Sequence, residues 1–300
     1  MTGRGQRVAV WLAAGCVGAG GLGCERPSAP PVPTPPARAL RIVSLSPAAT
    51  ETLCAVGCCD RIVLRDGWSD EPAAVRRIPA VEGFAPSAES ILAVRPDLVA
   101  GHFPPPGMQG ALAAAGVRVV AFAPMTLAEV SASLAALADA CGQPAAGAAL
   151  RLQFDREVAT VTAALSGVRP VRVFYEMDAG DPGRPFTLGR GTFGHAVLEA
   201  AGGSNVFADA GAAWFQVSTE SVLAADPDVI VLADADVSDH PQSIRGIGAR
   251  PGWSALRAVQ AGRIVTVPTA LLSRPGPRLP AGLRALARAL HPAAFAAEAP

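Results

Sequence analysis

The sequence predicts an α/β protein with two doubly wound parallel-sheet lobes joined by one long helix. The first observation is a repeat: residues 87–99 recur at 218–230, an offset of 131 residues, with seven identical positions. Repeats with a period of roughly 20–50 residues indicate solenoids, whereas one copy per ~100–150 residues indicates two similar lobes. Each copy joins a short helix, a proline that ends it and an apolar run typical of a buried parallel strand.

The second observation is that strands and helices alternate in both halves of the chain, as in doubly wound sheets. In the first half, strands are predicted at 41–45, 61–64 and 117–122, with helices ending near 56 and spanning 108–115 and 127–141. In the second half, strands are predicted at 171–175 and 263–268, with helices ending at 201 and spanning 251–259 and 278–290. Ligands of open α/β sheets bind beyond the carboxyl ends of the strands. We therefore expect a cleft formed by the loops at 46–51, 66–72, 101–107, 176–187, 208–216 and 269–277.

The third observation is the long helical stretch at 145–165 between the two halves. Its apolar residues recur every three or four positions, as one face of a helix requires: Leu150, Phe154, Val158, Val161 and Leu165. Gly167 and Pro170 then end it. A rigid helix between two lobes predicts only small hinge motion.

Both copies of the repeat carry a glutamate in the first turn of their helix. Ser87 and Ser218 are predicted N-caps, and Glu89 and Glu220 lie near the positive end of the helix dipole. By this chemistry alone, the two acids stabilise their helix N-termini.

The N-terminal segment predicts export and lipid anchoring. A basic start and a short apolar stretch at 8–23 are typical of a signal peptide. The stretch ends at Cys24 in a sequence that resembles a bacterial lipobox, and Cys16 is a second candidate for lipidation. Residues 25–39 contain six prolines and form an extended tether. We expect the protein on the periplasmic or outer face of the cell envelope, in contact with membrane only through this anchor.

These features divide the chain into six predicted parts. They are the signal peptide at 1–23, the proline-rich tether at 24–39, the N-terminal lobe at 40–144, the linker helix at 145–168, the C-terminal lobe at 169–292 and a tail at 293–300.

Charge and cysteine content narrow the function. The formal net charge is zero and 17% of residues are charged, so nothing indicates a nucleic-acid partner. An exported protein can form disulfides. Two alternatives are equally compatible with the sequence: a bridge from Cys58 or Cys59 to Cys141, and buried free thiols. Cys54 completes this set, whose spacing matches no metal site.

Enzyme alternatives find little support in the sequence. The glycines at 189, 191 and 194 fit a dinucleotide-binding fingerprint formally, but they follow a proline-rich loop and lack the acidic partner. Neither a nucleophile elbow nor a catalytic triad can be placed. Metallocluster enzymes share two-lobed sheets, yet their cysteines lie near the cleft, whereas those at 54, 58 and 59 are predicted on or after the first helix. A module that only docks a partner is a third alternative, and tryptophans in opposite cleft loops argue against it.

The order of several segments resembles the helix-linked (class III) periplasmic substrate-binding proteins of ABC importers for cobalamin, ferric siderophores and haem. The resemblance covers residues 40–292 and is carried by residues 42–51, 90–99, 189–193 with 201–207, 214–220 and 274–278. The segment from Trp214 to Glu220 is most similar to the cobalamin-binding branch. The resemblance implies a monomeric binding protein, not an enzyme, that needs no cofactor. It would deliver cobalamin or a related corrinoid, or alternatively haem or a ferric siderophore, to an ABC permease and its ATPase.

The resemblance also implies site residues. Those expected at the ligand are Ser46, Pro47, Ala48, Thr50, Trp68, Phe84, His102, Trp214 and Arg274. Trp68 and Trp214 would stack on a flat, partly apolar corrin. Arg274 would meet a propionamide or the phosphate of its nucleotide loop.

Two further sets of residues follow from the same resemblance. Glu89 and Glu220 stand where family members dock onto permease arginines. His102 stands where the cobalamin branch carries tryptophan, and its imidazole could ligate cobalt or haem iron. Tyr175 lies in a predicted strand, which argues against a tyrosinate–haem site.

Overall fold

The computed structural model describes residues 39–81, 86–102, 106–233 and 244–298. The first lobe is built on four parallel strands: β1 (Ile42–Leu45), β2 (Ile62–Arg65), β3 (Leu98–Gly101) and β4 (Arg118–Ala121), in the spatial order β2-β1-β3-β4. The two central strands β1 and β3 are almost entirely buried, which explains their continuous apolar sequences.

Four helices accompany the first sheet: α1 (Pro47–Ala55), α2 (Ala88–Ala93), α3 (Pro106–Ala114) and α4 (Leu127–Ala140). Ser46, Ser87 and Thr126 begin three of them, since each side-chain oxygen accepts the backbone N–H three residues later. A fifth helix, α5 (Pro144–Ala164), then leads from the first sheet to the second.

The second lobe repeats this plan. Its parallel strands are β5 (Val171–Glu176), β7 (Gly203–Asn205), β9 (Val229–Leu232) and β10 (Ile264–Thr266), in the order β10-β9-β5-β7. A separate antiparallel pair, β6 (Phe186–Leu188) and β8 (Trp214–Gln216), was not predicted from the sequence. Both strands have only three residues, too short for a periodic pattern to indicate them.

The helices of the second lobe are α6 (Phe193–Ala200), α7 (Thr219–Ala225), α8 (Ile244–Gly248), α9 (Arg257–Gln260), α10 (Thr269–Leu272) and α11 (Leu279–Leu290). The prediction of one helix over 251–259 is wrong. A single 3₁₀ turn at Trp253–Ala255 is followed by Leu256 in an extended conformation, and only then does α9 begin. Trp253 is fully buried, so packing of this ring overrides the local helical pattern.

The repeat corresponds to the same unit in each lobe. Its copies form α2 with β3 and α7 with β9, and each strand lies in the interior of its four-stranded sheet. Even the backbone agrees: Arg95 and Asp226 occupy equivalent positions, and both adopt positive φ, at 47° and 39°. The prediction of two α/β lobes is therefore confirmed.

One hydrophobic cluster extends through both lobes. It includes Ile42 and Leu98 from the first sheet, Val173 and Val231 from the second, and Leu283 from α11. Helices α4 and α5 pack along each other, while α11 packs on α5 and α6. This shared core should oppose large hinge opening, because separation of the lobes would expose apolar surface to water.

Of the alternatives considered for the cysteines, the structure shows buried free thiols at Cys58 and Cys141, together with one disulfide that was not predicted. Cys54 and Cys59 form a disulfide, since the end of α1 and the turn after it bring their Cα atoms to 4.1 Å. Cys58 and Cys141 are free and buried. Within the described ranges, none of the helices is both long enough and apolar enough to cross a membrane.

Candidate functional site

Two adjoining cavities lie at the carboxyl ends of the strands of both lobes. The larger has a volume of about 650 Å³ and the smaller about 290 Å³. His102, which follows β3, lines both cavities, as do Thr269, Ser273 and Pro275 from the second lobe. The two cavities thus form one cleft with walls from both lobes, at the position where open α/β sheets bind ligands.

Most of the residues predicted to contact a ligand line this cleft. The larger cavity is lined by Ser46, Pro47, Ala48, Trp68, His102 and Arg274, and the smaller by Trp214 together with His102. Thr50 is fully buried and lies beneath this surface. Phe84 lies outside the described residues.

A chain of buried polar groups fixes the loop that carries Trp68. Asp66 accepts the backbone N–H of Trp68 at 2.7 Å and the hydroxyl of Ser69. The Thr50 hydroxyl lies 2.7 Å from the Ser69 oxygen and 2.8 Å from that of Ser44. Thr50 therefore supports the loop from below, a placement that differs from the rim position we expected for it.

The two cleft tryptophans present large apolar surfaces to solvent. Trp68, in the turn after β2, is 61% exposed, and Trp214, in β8, is 53% exposed. Trp214 is held in β8, opposite Leu188 of β6. Exposed aromatic surface of this extent at a cavity is typical of a binding site.

Arg274 belongs to a cluster of four charges that joins the lobes. Its guanidinium donates to Asp70 at 2.6 Å, to Glu51 at 3.2 Å and to the Trp68 carbonyl at 3.3 Å. Arg278 donates to the Glu51 carboxylate at 2.6 and 2.9 Å. Glu51 is buried, so this pairing compensates the loss of its hydration.

The pKa values of the cluster reflect these contacts. Partial burial acts to raise the pKa of Asp70, but the hydrogen bond and charge of Arg274 outweigh it, and the net shift is downward. The hydrogen bond to Glu51 raises the pKa of Arg278. Asp70 and Arg278 therefore remain charged near neutral pH. The formal charges of the two acids and the two arginines cancel.

Several residues that line the cleft were not singled out individually from the sequence, although most of them lie in the loops expected to form it. Those of the larger cavity are Asp70, Phe122, Thr269, Ala270, Ser273 and Pro275. Tyr175, Met177 and Phe193 line the smaller one. Phe122 and Met177 directly follow β4 and β5, as the rule of strand carboxyl ends requires.

Tyr175 lies in β5, as predicted, and this position was the argument against a tyrosinate–haem site. Its side chain nevertheless lines the smaller cavity, because the last residues of this strand reach the cleft.

Glu89 and Glu220 lie away from both cavities, in matching environments. Each carboxylate is solvent-exposed in the first turn of its helix. A hydrogen bond from the backbone N–H lowers the pKa of each glutamate, and a hydrogen bond from the hydroxyl of Ser87 or Ser218 adds a smaller effect. Both are thus anionic over the physiological range.

Three observations on the described residues bear on the enzyme alternatives. Among these residues, no group of three or more histidine, cysteine or acidic side chains could hold a metal ion. Cys54, Cys58, Cys59 and Cys141 line neither cleft cavity. The glycines at 189–194 lie between β6 and the start of α6. Because β6 belongs to the antiparallel pair, it is not the parallel strand that precedes the glycines in a dinucleotide-binding unit.

Fold and cleft define a two-lobed binding protein, and comparisons with known proteins agree. The model of the family described as periplasmic binding protein matches residues 42–271. A vitamin B12-binding protein of Vibrio cholerae serotype O1 is 29% identical over 249 residues, covering 81% of this chain and 86% of the relative. The chain therefore belongs to the periplasmic binding protein family.

Solved structures of two ligand classes are about equally similar. A periplasmic heme-binding protein in complex with two hemes has a TM-score of 0.74 and 29% identity, over 85% of this chain and 98% of that one. The periplasmic vitamin B12-binding protein of Vibrio cholerae has a TM-score of 0.72 and 28% identity, over 83% and 96%.

Proposed function

We propose that this protein captures cobalamin or a related corrinoid in the cleft and delivers it to an ABC permease. The observation that carries the proposal is the pair of exposed tryptophans, Trp68 and Trp214, which line the cleft from opposite lobes. A large, flat macrocycle between such rings would remove their apolar surface from water. The protein would bind and release its ligand without catalysing a reaction.

The charge balance of the cleft supports a corrinoid over an anionic ligand. Among the described lining residues, Asp70 and Arg274 are the acidic and basic ones, and they pair with each other at 2.6 Å. A corrinoid has a rim of neutral amides, which polar groups such as Ser46, Thr269 and Ser273 can satisfy. Haem carries two carboxylates, and ferric siderophores are often anionic. Both therefore bind best to cationic side chains that are not already paired with an acid, as Arg274 is with Asp70.

Haem is the second candidate, and the smaller cavity favours it. His102 and Tyr175 both line this cavity. Imidazole and phenolate are the side chains that commonly ligate haem iron from one axial position. If haem is the ligand, His102→Ala or Tyr175→Phe should alter the Soret band of the complex.

We further propose that Glu89 and Glu220 dock the protein onto the permease. The two carboxylates occupy equivalent positions of the repeat, one on each lobe, and both are exposed and anionic. Two like charges at a fixed separation suit two basic sites on a pseudo-symmetric partner.

The remaining parts of the proposal concern the N-terminus and assembly. The signal peptide at 1–23, lipidation of Cys24 and the tether at 24–39 would hold the protein at the membrane near its permease. Residues 1–38, which include Cys24 and nearly all of the tether, lie outside the described residues. The protein would act as a monomer, with lobes at 40–144 and 169–292.

Calorimetric titration of the mature protein with cyanocobalamin tests the ligand assignment. The expected result is saturable one-to-one binding that is retained in His102→Ala, because the rings and not the imidazole would supply most of the affinity. Absence of cyanocobalamin binding, together with tight haemin binding, would show that the ligand is haem and not a corrinoid.

A further inference from the structure

A second pair of cysteines lies close together in the first lobe, apart from the Cys54–Cys59 disulfide. The Sγ atoms of Cys58 and Cys141 are 2.8 Å apart. Cys58 is in the turn after α1, and Cys141 is the C-cap residue of α4, 83 positions later in the chain. Both side chains are buried, with exposures of 0% and 1%.

The surroundings hold the two sulfur atoms in this geometry. The Cys141 thiol donates to the Ala138 carbonyl at 3.3 Å, and Arg61 donates to the Cys141 carbonyl at 2.9 Å. The contact joins α1 and α4, which pack against each other in the core that both lobes share. A covalent bond of ~2.05 Å would need the sulfur atoms to approach by less than about 1 Å.

We propose that Cys58 and Cys141 form a second disulfide in the mature protein. Two thiols would lose two protons and two electrons, and a disulfide-carrying thiol oxidant of the exporting compartment would accept them and become a dithiol. Members of a periplasmic family work where such oxidants act. The bond would tie the end of α1 to the end of α4 and close a loop that contains β2, β3 and β4.

The environment of Cys141 indicates when the bond must form. Burial, followed by the hydrogen bond and charge of Cys58, raises the pKa of the Cys141 thiol to about 12. Thiol–disulfide exchange proceeds through the thiolate, which is scarce at neutral pH in a folded chain with this pKa. The burial of both side chains also keeps an oxidant away from the sulfur atoms of the folded chain, so we expect oxidation to precede burial of the pair.

The arrangement of tryptic sites makes the bond measurable. Cleavage after Arg41 and Arg61 leaves Cys54, Cys58 and Cys59 on one peptide, and cleavage after Arg118 and Arg151 leaves Cys141 on another. The full-length protein would be exported, alkylated while unfolded, digested without reductant and analysed by mass spectrometry. We expect a reducible cross-link between the two peptides, and no alkylated Cys141.

Two matched variants identify the partner of Cys141. The double variant Cys54→Ala/Cys59→Ala should keep the cross-link, since Cys58 alone then remains on the first peptide. The double variant Cys58→Ala/Cys141→Ala should lose it and keep the Cys54–Cys59 bond. Its Tm should fall by on the order of 10 °C in the absence of reductant, because the constraint on a long loop is gone.

Several results would overturn the proposal. One is complete alkylation of Cys58 and Cys141 in exported wild-type protein. Another is loss of the cross-link in Cys54→Ala/Cys59→Ala, which would make Cys59 or Cys54 the partner of Cys141. If a double variant does not accumulate, peptide mapping of the wild-type protein alone still separates a cross-linked Cys141 from an alkylated one.

Discussion

Glu51 and Arg278 lie 227 residues apart in the chain, yet two hydrogen bonds of 2.6 and 2.9 Å join them between the lobes. Arg274 adds a third hydrogen bond to the same carboxylate at 3.2 Å. Between these arginines, Gly276 passes so close to α1 that an added Cβ would lie 3.3 Å from the Ala48 Cα atom. The segment before α11 is thus fixed to the beginning of α1, at the wall of the cleft.

This contact predicts the effect of Glu51→Gln. The substitution removes the charge that compensates two arginines, and we expect the free energy of unfolding to fall by about 3 kcal/mol in urea titrations. The scattering profile of the ligand-free variant should also show wider separation of the lobes than that of the wild type.

Glu71→Gln is the control for this experiment. Glu71 forms an exposed pair with Arg76 at 3.8 Å, and its loss should cost less than about 1 kcal/mol. Equal stabilities for the Glu51 and Glu71 variants would show that the contact between the lobes contributes little.

Asp70→Asn tests whether charge balance excludes anionic ligands from the cleft. The variant leaves Arg274 and Arg278 opposite one carboxylate, so the cleft gains one net positive charge. We expect its affinity for haemin to rise roughly tenfold, about 1.4 kcal/mol, with little change for cyanocobalamin. Parallel calorimetric titrations measure the two affinities. An unchanged haemin affinity would contradict the idea that Asp70 neutralises Arg274 and so disfavours anionic ligands.

The same variant has a pH signature. The net pKa of Asp70 in the folded protein lies below its usual 3.8, so the stabilisation from its pair with Arg274 is fully present above that pH. It is lost as the pH falls through the lower folded value, because the carboxylate is then protonated in both states. The stability difference between wild type and Asp70→Asn should be constant from about pH 5 to 8 and shrink below about pH 4.

Trp68→Ala and Trp214→Ala test the aromatic walls of the cleft. Each should weaken cyanocobalamin binding roughly 30-fold, about 2 kcal/mol. Stability should change little, because both rings are more than half exposed in the folded protein. Leu152→Ala, which removes a side chain on α5 that is 50% exposed, should alter neither property. If both tryptophan variants bind like the wild type, the ligand does not occupy this cleft.

Glu89→Ala combined with Glu220→Ala tests permease docking. Cyanocobalamin affinity should remain within about twofold, since both carboxylates lie outside the cleft, while uptake into cells or proteoliposomes with the cognate importer should fall sharply. Asp155→Ala on α5, an exposed acid paired with Arg151 at 3.7 Å, should leave uptake intact. A loss of ligand affinity in the double glutamate variant would contradict the docking assignment.

The sequence predicts the two-lobed fold well for identifiable physical reasons. Buried parallel strands leave continuous apolar runs, serine caps mark the helices of the repeat, and the long helix has a regular apolar face. The short strands β6 and β8 could not be predicted, because three residues carry no period. The helix predicted at 251–259 failed because a buried tryptophan at 253 interrupts it.

The candidate site was predicted in part. The resemblance to the family implied the tryptophans, His102 and Arg274, and these residues line the cleft cavities. The partners of Arg274 were missed, because nothing in the sequence relates Glu51 to a segment more than 200 residues later. Thr50 was placed at the surface, but its hydroxyl is shared by two serines in the buried layer below.

A competition experiment tests the central claim most directly. The mature wild-type protein would be incubated with equimolar cyanocobalamin and haemin, passed through a desalting column, and its absorption spectrum recorded. We predict that one equivalent of the corrinoid stays with the protein and that haem is removed. A spectrum of bound haem without corrinoid would contradict the account and would assign the cleft, with His102 and Tyr175 in its smaller cavity, to haem.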